Sequence, residues 1–384
     1  YYMYKGGTNP TGLRTPYLNE GQVPKRSYDY QAAIGEFGQL RESYGRLKAI
    51  HLFCRLFSGF LEQTKAVVPA HLKHLAPEDL GPLRFSVRVK GSSGFLLVNN
   101  FQDHVEMRDR QGDEVCLSLP ERALTFRFDI AAGENAILPF GIDLGGARLD
   151  WATAQPLAHV GSTWFFFAPA GMRPVYSIDG RVTEAAADKA FTAGGLTIMT
   201  LSRAQAQDFW LYSGTAWLCD QPLLWDGRQL KVELASGDAD LRAWSEEARA
   251  FVPRCRLTRR SRPSALTWQT VGTGRYTVDL PAGELEGHKQ VLLRVRYRGD
   301  IGSAFVQNEL ISDNFCNGDV WDIRLDCYAD ALAHTPLVLY LTPVRKNVTV
   351  DASAMAGLRE QAELEAAELL SAELVPIDEE AVSL

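Results

Sequence analysis

The sequence predicts a mainly β protein: antiparallel β-sandwich or jelly-roll domains follow one β-loop-α unit at the start of the chain. Three observations carry that expectation. Between Glu36 and Leu61 apolar residues recur at helical spacing. After Pro82 the period changes to two, with Leu83, Phe85, Val87 and Val89 alternating with polar neighbours. Turn residues then punctuate a long series of short strands, the rhythm of an all-β sandwich.

The first element is a short apolar strand at Tyr1 to Tyr4, which enters the Gly-rich run Lys5-Gly6-Gly7-Thr8-Asn9. The segment Ser27-Tyr28-Asp29-Tyr30 follows and leads to the helix. Leu40, Tyr44, Leu47, Ile50, Phe53, Phe57 and Phe60 form its apolar stripe, and Arg41, Arg46, Lys48 and Arg55 are expected to keep the other face wet. Prolines at Pro69, Pro77 and Pro82 break that pattern, so residues 62–82 read as a linker.

Leu83–Val89 and Gly94–Asn99 flank Gly91-Ser92-Ser93-Gly94 and predict a hairpin. Further strands are expected near 114–118, 123–130, 136–142, 163–167, 174–178 and 196–201. Ser202 reads as the N-cap of a short helix over about 202–210. The run Thr163-Trp164-Phe165-Phe166-Phe167 reads as a core strand rather than a sugar platform. A second β block starts near Leu266 and includes Gln290–Tyr297 and Pro336–Leu341. Residues 354–374 favour helix by propensity. The expected division is therefore 1–61, the linker 62–82, an accessory sandwich over 83–265 and a jelly-roll-like domain over 266–384.

Composition narrows the function classes. A net charge of −7 argues against a nucleic-acid partner. No apolar run reaches the roughly 18 residues of a membrane span. Arg254, Arg256, Arg259, Arg260 and Arg262 read as a solvated face. Six scattered cysteines with no C-x-x-C pair, and seven histidines without H-E-x-x-H spacing, give no zinc signature and imply no cofactor. Cys316 and Cys327 are compatible with either a disulfide or two free thiols. Asp300, Asp313, Asp319 and Asp322 do not match a calcium loop and read as turn residues. Asn347-Val348-Thr349 fits the glycosylation pattern, while the compartment stays open among cytoplasm, periplasm and secretion.

The two N-terminal motifs, in their order and in front of a helix, resemble the closing unit of the (β/α)8 barrel in glycoside hydrolase family 35, the β-galactosidases. In that family a "YMFHGGTNFG"-like strand precedes an "SYDYDAP-x-x-E-x-G" loop. Lys5 departs from the usual histidine and Pro10 from the usual aromatic. Segments 94–100, 140–146 and 152–156 resemble accessory domains of long bacterial members. Segments 299–305 and 313–318, with Trp321, resemble the C-terminal jelly roll, and the resemblance also implies a closing strand around Leu369–Ile377.

On that resemblance the chain is the C-terminal part of a retaining β-galactosidase acting on β-galactosides or oligosaccharides. It would begin at the last strand of a truncated barrel and lack an N-terminal barrel segment as partner. Retaining glycosidases need two carboxyl groups about 5 Å apart. In the family both are glutamates at earlier strand ends, so no catalytic residue is expected within this chain. The resemblance implies that Tyr30 lines the galactose subsite, against the alternative of a packed loop aromatic. Tyr28 divides evenly between substrate contact and packing. Asp29 is expected to sit behind them, accepting hydrogen bonds that fix the loop. Glu36 reads as a first-turn acid favoured by the helix dipole. With its barrel neighbours absent, residues 1 to about 35 are expected to lack a partner and the helix stripe to be partly bare. The competing class is a non-catalytic carbohydrate-binding or scaffolding β-sandwich protein.

Overall fold

The computed structural model describes residues 3–10, 24–103, 105–281, 283–343 and 366–382. Its sheets are built from short strands with antiparallel pairing throughout the described ladders, except that Thr163–Phe167 runs parallel to Leu196–Leu201. The chain divides into two compact units, and neither is one continuous stretch. One comprises Gly45–Asp220 and Leu241–Cys255; the other comprises Tyr1–Tyr44, Gln221–Asp240 and Arg256–Leu384.

The first of these contains a seven-stranded sheet running from Arg181–Glu184 through Asn135–Asp143 and Ser93–Asn99 to an edge at Lys65–Val67. A four-stranded sheet of Gln155–Val160, Thr163–Phe167, Leu196–Leu201 and Ala190–Ala193, the hairpin Arg110–Ser118/Ala123–Ile130 and a second four-stranded sheet of Phe209–Tyr212, Thr215–Leu218, Ala239–Ser245 and Ala250–Leu257 accompany it. Every residue of Thr163–Phe167 is buried, as a core strand requires. Ser202 caps the helix Arg203–Gln207: its hydroxyl accepts from Gln205 N–H, and the Gln205 side chain accepts from Ser202 N–H. The helix ends short of the expected 210, because Phe209–Tyr212 pairs as a strand with Thr215–Leu218.

In the other unit, Gln290–Arg298 pairs with Glu368–Val382 over nine register positions and with Trp321–Arg324 on its other side. A five-stranded sheet, Trp268–Gly272, Arg275–Val278, Leu337–Leu341, Ile301–Val306 and Glu309–Phe315, supplies the opposing layer. Leu293, Val295, Trp321, Ile323, Leu339 and Leu374 belong to their shared buried cluster. Alternation explains the geometry: successive side chains of a strand point to opposite faces, so one face of each sheet can fill the core.

Several expectations are corrected. Residues 65–67 are a strand paired with Val87, Arg88 and Val89, so the expected linker contains a sheet edge. Arg84 then ties down the prolines' neighbourhood by donating to the carbonyls of Ala76, Pro77 and Asp79. Met3 and Tyr4 are not in a strand; the ladder lies further on, at Gly7–Thr8. The helix begins at Glu42 rather than Glu36, because Gly35–Gln39 folds as a turn with Gly38 at φ 93°.

The helix stripe is covered. Phe53 and Phe57, one helical turn apart, place their rings 4.8 and 4.9 Å from that of Phe95, and Phe60 reaches the same ring at 5.7 Å. All six cysteines are free; Cys316 is buried and Cys327 exposed. The closing strand is present and longer than expected, at Glu368–Val382. The glycosylation triplet and most of the 354–374 helix expectation lie outside the described residues.

Candidate functional site

The site is built by residues 3–10 and 24–41, within the unit that also holds the C-terminal sheets. Gly7 and Thr8 pair antiparallel with Tyr28 and Ser27. Just before them, Gly6 N–H donates to Ile34 O at 2.8 Å and Ile34 N–H to Tyr4 O at 2.9 Å, which makes a parallel bridge at Lys5. Gly6 is required there: a Cβ would stand 2.9 Å from both Asp29 Cα and Glu36 N. Gly7 meets no such restriction.

Asp29 is the hub of the turn. Its Oδ1 accepts from Glu36 N–H at 2.6 Å, and its Oδ2 accepts from Gln31 N–H at 3.1 Å and from Arg41 Nη2 at 2.7 Å. Arg41 Nη1 also donates to Ala32 O at 2.7 Å, so one guanidinium holds both the carboxylate and the turn's backbone. Between these anchors Tyr30 and Gln31 adopt φ of 47° and 52°, two consecutive left-handed residues without glycine. Such conformations cost about 1 kcal/mol or more each and persist only where surrounding contacts over-determine them. The turn leaves Tyr30 59% exposed, with its ring edge-on to half-buried Tyr28 at 4.6 Å.

Glu36 corrects the first-turn reading. It precedes the helix, is 9% exposed, and accepts from the hydroxyls of Thr8 and Ser27, the latter at 2.7 Å. Burial pushes its carboxyl up to about 7, the two hydroxyls oppose that shift, and the charges of Asp29 and Asp313 add to it. A cleft of about 460 Å³ lies beside it, lined by Lys5, Thr8, Glu36, Phe37, Ile311 and Tyr328 among others. The carboxyl can therefore hold or release a proton near neutral pH at the cleft wall.

The expectation that residues 1 to about 35 lack a partner fails for the described part of that segment. Asp313, 1% exposed in the strand Glu309–Phe315, accepts from the N–H groups of Lys25, Arg26 and Ser27 at 2.5, 2.9 and 3.0 Å. Gln39 Nε2 donates to Asp322 at 3.1 Å, and Gln290 Nε2 donates to Phe37 O at 3.1 Å. Phe37 packs on Leu292, Val375 and Ile377. The physical reason is unmet demand on both sides: a buried carboxylate needs donors, and a loop backbone needs acceptors.

Tyr28, Asp29 and Tyr30 thus share one braced turn, while Glu36, Arg41 and Asp313 are participants that sequence reasoning missed. For Asp313 a signal exists in hindsight, a carboxylate in the otherwise strand-like run Leu310-Ile311-Ser312-Asp313. Both Asp313 and Asp322 sit in strands, not in turns. No family model and no curated protein matches the chain.

Proposed function

We propose that this chain is the C-terminal part of a retaining β-galactosidase of glycoside hydrolase family 35, with the Ser27–Tyr30 turn facing the terminal galactose. The observation that carries the reading is the presentation of Tyr30: an exposed phenol on a left-handed turn that Asp29 and Arg41 brace from behind. A tyrosine hydroxyl so held can donate to a sugar hydroxyl or to the carboxylate that becomes the nucleophile. Bracing removes the need to order the loop when substrate arrives, which is how a prepaid backbone cost becomes binding and rate. In that family the two glutamates of the retaining mechanism stand on earlier barrel strands, and neither role is assigned to a carboxylate of this sequence.

The test uses the longer product that includes the coding region upstream of Tyr1. It should cleave a chromogenic β-galactoside, whereas the 384-residue chain should not. Tyr30→Phe should lower kcat/KM by the worth of one hydrogen bond to a charged or developing-charge group, about 1.5–3 kcal/mol. Unchanged kcat/KM would return Tyr30 to packing. A galactoside that binds without cleavage would favour the non-catalytic carbohydrate-binding class.

A further inference from the structure

We infer that Asp313 is a positioning residue for the sugar-contacting turn, so that the C-terminal β unit sets the geometry of a loop almost three hundred residues earlier in the chain. The inference rests on the galactosidase reading of Tyr30 and deepens it. Three consecutive amides, Lys25, Arg26 and Ser27, converge on one buried carboxylate, and the last of them directly precedes Tyr28. Ser27 then extends the chain of contacts: its hydroxyl donates to Glu36 Oε2 at 2.7 Å and accepts from Asp29 N–H at 3.3 Å. Asp29 in turn holds Gln31 N–H and Arg41, which frame Tyr30.

A hydrogen-bonded series therefore runs from Asp313 through Ser27 and Asp29 to the residue that meets the sugar. Removing the carboxylate takes a shared acceptor from three consecutive amides, buried at Ser27 and half-buried at Lys25 and Arg26, which favours movement of the backbone. The Ser27–Tyr28 register with Thr8 and Gly7 would move with it.

Two arms test the inference. In the 384-residue chain, amide exchange at residues 25–28 should accelerate by at least about tenfold in Asp313→Ala and by less in Asp313→Asn, because the asparagine oxygen can still take the Arg26 and Ser27 amides. Ser312→Ala serves as the control: its hydroxyl accepts from Trp321 Nε1 on the core side, and its loss should leave exchange at residues 25–28 unchanged. Equal exchange in wild type and both Asp313 variants overturns the inference.

In the longer enzyme, Asp313→Asn should lower kcat/KM about tenfold, mainly through KM, since a displaced loop loses contacts to ground state and transition state alike. The decisive readout is the cycle with Tyr30→Phe. If Asp313 acts through the turn, the double variant loses clearly less than the sum of the single losses. Additive losses in an enzyme whose wild type is active overturn the positioning role. A wild type that cleaves no β-galactoside overturns the galactosidase reading itself, so the wild-type measurement separates the two failures.

Discussion

Both units bury charge of both signs: Lys48 and Glu134 in the unit of Gly45–Asp220 and Leu241–Cys255, and Glu36, Asp313 and Arg259 (the last expected on a solvated face) in the unit that contains both ends of the described chain. The group that burial brings to near neutrality differs in sign between them. In the first, Lys48 is not on a wet face as expected but buried on the helix, where it donates to Gln207 O at 2.7 Å and lies 3.4 Å over the Trp210 ring. Burial pushes its ammonium down to about 7, against the pull of Asp208. In the second, burial pushes Glu36 up to about 7. The same desolvation, which penalises whichever form is charged, brings a base and an acid to nearly the same titration point. The lesson is that these two groups should contribute pH slopes of opposite sign, Glu36 below about pH 7 and Lys48 above it.

The units also differ in what sets their stability. Phe53, Phe57, Phe95, Trp164 and Phe166 belong to one aromatic-rich buried cluster in the first unit. The second unit depends on a more mixed sandwich core and on polar ties such as Asp313 to the Lys25–Ser27 amides. Phe166→Ala should therefore give the largest effect, about 3–5 kcal/mol for the transfer loss and cavity together. Hydrogen exchange should locate that loss in the strands around Thr163–Phe167 and Leu196–Leu201. Equal loss of protection in Gln290–Arg298 would break the claim that each unit owns its core.

The pH comparison is sharper. Lys48 has an ordinary value of 10.5 when unfolded and about 7 when folded, so between those pH values the unfolded state binds the extra proton. Its contribution to stability should rise as pH climbs from about 7 toward 10.5, by an upper limit of roughly 5 kcal/mol at about 1.4 kcal/mol per pKa unit. Lys48→Met should flatten that rise relative to wild type in denaturant titrations across the window. A variant with the wild-type slope would mean that another group carries it.

For Glu36 the sign reverses. The folded state keeps its proton up to about 7 while the unfolded chain loses it near 4.5, so stability falls as pH rises through that window. The upper limit is roughly 3 kcal/mol. Glu36→Gln should remove the fall and be the more stable protein at pH 8, measured by exchange at the Gly7–Thr8/Ser27–Tyr28 ladder. Loss of that ladder in the variant at every pH would show that the charged form is needed. The smallest effect is at Ser202: Ser202→Ala should cost about 1 kcal/mol, read from urea midpoints, because the Gln205 amide loses its cap.

Much of the fold was legible from local pattern. Alternation located Arg84–Lys90, Ala123–Ile130 and Gln290–Arg298, and an unbroken apolar run marked Thr163–Phe167 as buried on both faces. Ser202 was legible as an N-cap, and the structure adds Gln205 as the other half of a capping box. At the candidate site, the Tyr28-Asp29-Tyr30 motif marked the turn, and its neighbours in sequence did the bracing. These signals work because the interactions behind them span a few residues.

By itself, then, the sequence determined which stretches alternate, where a helix is capped and that Tyr28, Asp29 and Tyr30 lie in one loop; that Tyr30 alone of the three is exposed came from the fold. Tertiary structure alone decided that Lys65–Val67 is a sheet edge, that the Phe53–Phe60 stripe is covered by Phe95, and that Glu36 is buried. It also decided that Asp313 anchors a backbone 286 to 288 positions away. The physical reason is range. Periodicity and capping are properties of neighbours along the chain, whereas desolvation of a carboxyl and the partner of a buried acceptor depend on what folding brings beside them.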